Sequence, residues 1–330
     1  MYFLHFIRTI CKLIIISFTK LKQSEKWGVA YLKALEIKYN GNFDPALIKK
    51  VARYQSIQLH YVANTFSGLY NRKNNKAEIE RNIQYFLMTV LYDELTDDVK
   101  MDDQRVFEIS YHPQTVVPVN FKERVLVAMH LGLIAQVPDA QEYWEVVKQV
   151  HLAQKDSAKQ FDAQIILEEL IDITQRKGGY SLLMCRHYLI DPNNKQVDNC
   201  WYHLGGLIQM TNDLYDTYKD TMEGIYTFAN TQNDIANIEM IYAQQKLLFK
   251  KSIESLPVSN YTKQQFAINT SIIPAFGDIA INQLKELQIN STSLPNFNQI
   301  PRKSLIIDME RMINKYRLIK YAYKNGKLWM

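Results

Sequence analysis

An apolar stripe that runs straight into carboxylates limits what this chain can fold into. Ile79, Ile83, Phe86 and Val90 recur at steps of four, three and four, the spacing of one helix face, and the next steps land on Asp93 and Asp97. A second run does the same, with Trp201, Gly205 and Ile208 leading to Asn212, Asp216 and Asp220. Both stretches predict helices, and both predict acids that face inward with the apolar residues. Like charges one turn apart disfavour a helix, and carboxylates near its C-terminal end oppose the dipole. Unpaired carboxylates aimed at an interior are destabilising, so something positive must compensate. Hard cations such as Mg2+ bind through oxygen ligands of this kind, often beside a phosphate. Taken singly, each acidic stretch reads as a solvated helix end. Two inward-facing sets on different helices can converge on one cavity.

The rest of the chain agrees with a helical fold. With 330 residues, 47% of them hydrophobic, and only 11 Gly and 9 Pro, it suits one large helical domain and offers no alternating strand series. Breaks are predicted at Tyr39-Asn40-Gly41-Asn42, from Tyr70 to Asn75, at Asp191-Pro192-Asn193-Asn194, and in the polar stretch from Asn290 to Pro301. The expected plan is an apolar and basic N-terminal helix over 1–23, a catalytic bundle over 24–289, and a linker with a C-terminal helix over 290–330.

These residues resemble the metal motifs of the class I isoprenoid synthases. Asp93-Glu94-Leu95-Thr96-Asp97 is similar to the DDxxD motif, with Glu at the second position. Asn212-Asp213-Leu214-Tyr215-Asp216-Thr217-Tyr218-Lys219-Asp220 resembles the ND(L/I)xSxxKE motif of microbial terpene cyclases, with Asp216 in place of Ser and Asp220 in place of Glu. Read on through Gly224, Tyr226 and Phe228, the same stretch also resembles the NxLxDxxxDxxxGxxY signature of squalene and phytoene synthases. The likeness covers roughly residues 75 to 230; the flanks match only in being helical.

The resemblance implies an all-α fold, a single large helical bundle of the isoprenoid synthase type with a central apolar cavity. It implies three Mg2+ ions at the mouth, held by Asp93, Glu94 and Asp97 on one side and by Asn212, Asp216 and Asp220 on the other. Asp213 replaces Asn212 as a ligand in the squalene-synthase-like reading. The implied substrate is a linear prenyl diphosphate, ionised to a carbocation with release of diphosphate. Two alternatives stay open: a prenyltransferase coupling two prenyl diphosphates, and a non-catalytic helical lipid-binding protein. Candidate cations for the diphosphate are Arg176, Lys177, Lys219 and Arg317. Arg176-Lys177-Gly178-Gly179 reads either as a diphosphate site or as a basic helix end before a Gly stop. Lys177 half matches the Lys-Thr pair of trans-prenyl synthases. Tyr316-Arg317 inverts the Arg-Tyr order of the cyclases.

Other chemistries find little purchase. The net charge of +5 is spread along the chain, without a helix-turn-helix, zinc-finger or RNP-like pattern, so no nucleic-acid partner is expected. Cys11, Cys185 and Cys200 are isolated, and the seven His form no HExxH. Neither acidic segment has the Gly of an EF-hand loop, and there is no Gly-rich phosphate loop. The stretch from Tyr2 to Phe18 is apolar but interrupted by Arg8 and Lys12 and followed by Lys20 and Lys22, too short and too charged to span a bilayer. It reads either as an interfacial helix giving peripheral membrane contact or as a helix packed across the bundle. The expected location is cytoplasmic.

Overall fold

The computed structural model describes residues 2–95, 102–137, 140–289 and 291–329. Among these the fold is all helical, with no strand. In chain order the helices are α1 (Tyr2–Lys38), α2 (Pro45–Gln58), α3 (Asn64–Ser67), α4 (Lys76–Asp93), α5 (Asp103–Tyr111), α6 (Phe121–Ile134), α7 (Ala140–Asp156) and α8 (Leu167–Arg186). They continue as α9 (Lys195–Tyr215), α10 (Thr217–Glu223), α11 (Ile235–Glu254), α12 (Asn260–Thr270), α13 (Ile272–Gln288), α14 (Arg302–Leu305) and α15 (Met312–Leu328). The predicted breaks at Tyr39 and Tyr70 fall at helix ends, where Asn40 and Asn71 take the left-handed conformation that Asn tolerates better than most residues. The N-terminal helix runs unbroken past residue 23 to Lys38.

The chain divides into two compact units. One comprises Ile7–Val147 and Cys185–Pro192, the other Met1–Phe6, Lys148–Met184 and Asn193–Met330.

In the first of these, α4 packs on α2 and α6. Its start is fixed by a capping box: Asn75 accepts from the Glu78 backbone N–H at 3.0 Å, and Glu78 accepts from the Asn75 N–H at 2.8 Å. Glu78 is fully buried and also takes Arg72 at 2.7 and 3.0 Å and the Ile190 N–H at 2.8 Å, tying α4 to the Asp191 loop. Arg72 reaches Asp191 as well. Burial pushes the Glu78 carboxyl up, but Arg72 and the two backbone donors outweigh it and hold the group below the usual range. For Asp191 burial prevails, and its carboxyl is raised.

Glu78→Gln is therefore expected to destabilise this unit by roughly 3–5 kcal/mol, because Arg72 loses its buried partner. The lowered native pKa makes the contribution fully present above the ordinary Glu range and lost as pH falls through the native value. The drop in urea midpoint should be large at pH 7 and shrink on acidification; an equal drop at all pH values would contradict the assignment.

In the second unit α9 is the central element, packed on α11 and α13, with α15 lying on α13. Helix α8 crosses α9 at a glycine pair: a Cβ built on Gly178 would collide with the Gly205 carbonyl, and one on Gly205 with the Gly178 carbonyl. The Gly178-Gly179 pair does not stop the helix, as the sequence suggested; α8 continues to Arg186. The glycines serve close approach of two backbones, and helix packing outweighs the weak helix propensity of Gly.

Candidate active site

The close crossing of α8 on α9 brings Thr174 against the last turn of α9, where Asp213 is buried. Thr174 donates to Asp213 Oδ2 at 3.0 Å and Gln209 donates to Oδ1 at 3.1 Å. Helix α9 ends at Tyr215, Asp216 forms the joint at φ −91° and ψ 7°, and α10 starts at Thr217. Thr217 is buried and returns its hydroxyl to the Leu214 carbonyl at 3.0 Å. Asp220 is buried one turn further on, and Gly224 closes α10 in the left-handed conformation at φ +71°. The chain then turns back, with the Tyr226 N–H donating to the Gln160 carbonyl at 2.7 Å.

The inward-facing set differs from the expected one. Asn212 and Asp216 are exposed, while Asp213 and Asp220 are buried. The buried line of this segment is Gly206, Met210, Asp213, Thr217 and Asp220, at steps of four, three, four and three. It lies around the helix from the Trp201–Ile208–Asn212 line, and Ile208 is only half-buried. Following Met210 instead of Ile208 would have found it.

Electrostatics single out the same two acids. Burial, with repulsion from Asp216 and partial relief from Lys177, pushes the Asp213 carboxyl up to about 6. Burial first, then repulsion from Asp213 and Asp216, pushes Asp220 up to about 7, against a small opposing pull from Lys219. Asp216 is raised too, by partial desolvation. Among the described residues no hydrogen-bond donor reaches the Asp220 carboxylate. Two buried acids close enough to repel each other, one of them without a donor, form a strained anionic site.

A pH test follows. An acid with a raised native pKa leaves stability intact below its unfolded value and removes it as pH climbs to the native value. Metal-free protein should therefore lose stability between about pH 4 and pH 7 through this pair, by an amount on the order of a few kcal/mol. Asp220→Asn is expected to raise the unfolding temperature in chelator at pH 8 and to leave it unchanged at pH 4; a lowered midpoint at pH 8 would overturn the reading.

The remaining candidates lie as follows. Asp93 ends α4 in the other unit and is exposed, so the Ile79–Val90 stripe does not carry an acid inward there. A carboxylate at a helix end keeps its water more cheaply than it enters an interior. Glu94 is half-buried and paired with Lys122. Thr96, Asp97 and Asp98 lie outside the described residues. Arg176 is held by Asp172 at 2.7 Å and Asp156 at 2.9 Å, a carboxylate on either side of its guanidinium. Lys177 is half-buried and acts on Asp213. Lys219 is exposed and within 3.7 Å of Glu223. Arg317, on α15, pairs with Glu286 at 2.8 Å, and Tyr316 beside it is exposed.

The donor chemistry of Asp213 and Asp220 fits Mg2+: oxygen-only ligands, negative, and disfavoured until a cation arrives. Among the described residues no group of three or more His, Cys, Asp or Glu could hold a metal ion. Mg2+ is commonly bound by one or two carboxylates, with water and substrate phosphates completing the shell, so a pair meets its requirement. A separate cleft of about 320 Å³ between α11, α13 and α15 is charged and self-paired, with Lys246 on Asp278 and Lys285 on Glu239, each at 2.6 Å.

Comparison with family models, with curated proteins and with solved structures found no match.

Proposed function

We propose that the chain is a Mg2+-dependent class I terpene synthase that ionises a linear prenyl diphosphate and releases diphosphate. The observation that carries this reading is the burial of Asp213 and Asp220 one above the other at the α9–α10 joint; burial raises both carboxyls, and repulsion from Asp213 adds to the rise at Asp220. Bound there, Mg2+ would supply the positive charge that stabilises a departing diphosphate. Thr174 and Gln209 fix the Asp213 carboxylate so that both oxygens keep one orientation. Lys177, which acts on Asp213, and Lys219, which acts on Asp220, are the named cations that can add charge at the same place. Asp216, at the exposed joint between two helices, can turn its carboxylate toward an arriving ion without disturbing the core.

Burial of Asp213 in place of Asn212 favours a second reading, a prenyltransferase that couples two prenyl diphosphates, because that motif reading uses Asp213 as a ligand. One experiment separates the two. The protein is incubated with Mg2+ and linear prenyl diphosphates of ten to twenty-five carbons, singly and in pairs, and products are identified by mass. A hydrocarbon or alcohol from one diphosphate supports the synthase; a product requiring two supports coupling. Binding without diphosphate release from any substrate would leave a lipid carrier and overturn both.

A further inference from the structure

The N-terminal helix α1 has two apolar faces. Phe6, Ile10 and Leu13 form the packed face, at 1%, 6% and 6% exposure. The opposite face carries Leu4, Ile7, Ile14 and Ile15 in solvent, at 74%, 40%, 44% and 62% exposure, with Cys11 exposed between them. These residues recur at steps of three and four, so they form one continuous strip. Exposed Arg8 and Lys12 border it, and exposed Lys22 continues it along the helix, whereas Lys20 stands seven residues from Leu13 on the packed side. The first acid in the chain is Glu25. An apolar strip edged only by cations is complementary to a surface that is apolar below and anionic above.

We infer that this strip of α1 docks flat onto an anionic lipid bilayer. No helix among the described residues is long and apolar enough to cross a membrane. The face occupied by Phe6, Ile10 and Leu13 is already packed against protein, which leaves only the Leu4–Ile15 face for lipid. Binding then draws on two terms: insertion of the apolar side chains at the headgroup boundary, and attraction of Arg8, Lys12 and Lys22 to anionic headgroups. The inference goes beyond the proposed activity and does not depend on it.

The test is co-sedimentation of the full chain with vesicles of phosphatidylcholine alone and of phosphatidylcholine containing phosphatidylserine. Binding is expected with the anionic vesicles, weaker with the neutral ones, and reduced by high salt. The double substitution Ile7→Ser with Ile15→Ser should weaken partition about tenfold or more. Lys12→Glu and Lys22→Glu, both at exposed positions, should each weaken it about fivefold on anionic vesicles only. Unaltered thermal unfolding of the charge variants keeps the result readable if the Ile variant unfolds. Absence of binding to anionic vesicles, or binding indifferent to all four substitutions, would overturn the inference. So would a concentration-dependent dimer that the Ile7→Ser change dissociates, since a second copy would then cover the strip.

Discussion

Asp213→Asn is expected to lower Mg2+-dependent diphosphate release by at least about a hundredfold while leaving the helical signal intact. The substitution keeps the size of the side chain and an acceptor for Thr174 but removes the acceptor for Gln209, so the loss falls on charge and that one hydrogen bond and not on packing. Asp220→Asn should have a comparable effect. Asn212→Ala, at an exposed position, should cost far less. This ordering distinguishes two ligand sets. If Asn212→Ala were the more damaging change, the cyclase-type set of Asn212, Asp216 and Asp220 would hold the ion and the buried pair would not. At the joint, Asp216→Ser should retain partial turnover with a raised Mg2+ requirement, whereas Asp216→Leu should lose it; equal near-wild-type turnover in both would remove Asp216 from the site.

The largest effect on stability is expected at the α8–α9 crossing. Gly205→Val places branched carbons where the Gly178 carbonyl and the Leu182 side chain already stand. The helices must separate, and the change should cost about 3 kcal/mol or more, read as a lowered urea midpoint. The same separation draws Thr174 away from Asp213, so diphosphate release should fall together with stability. Gly224→Ala tests the contrast: its Cβ meets nothing, and only the left-handed backbone opposes it, so a penalty near 1 kcal/mol is expected. A Gly205→Val protein as stable as wild type would show that the close crossing is absent in solution.

The helical character of the chain was legible because it rests on residues that act locally. Sparse Gly and Pro, Asn caps such as Asn75, and apolar steps of three and four all speak for helices before any packing is known. The site was only partly legible. Spacing alone permits two adjacent lines through Asn212–Asp220, and which one is buried depends on where α8 packs on α9. The break at Asp216 was hidden for the same reason, since nothing in the local sequence halts a helix there. Gly178-Gly179 misled because a glycine pair signals a stop when a helix is alone and close contact when another glycine faces it. On the Asp93 stripe only Ile83 and Val90 are buried, with Ile79 and Phe86 half-buried, and the next step reaches an exposed position, where a carboxylate at a helix end is more stable than in the interior.

In the proposed function the carboxylates of Asp213 and Asp220 use Mg2+ to release diphosphate from a prenyl substrate. The most direct measurement is the rate of diphosphate release from prenyl diphosphates as a function of Mg2+, for wild type and Asp220→Asn side by side. Release is expected to rise with Mg2+ and to vanish in chelator, with the variant at least about a hundredfold slower at every Mg2+ concentration. Release that persists in chelator, or an Asp220→Asn rate equal to wild type, would contradict it.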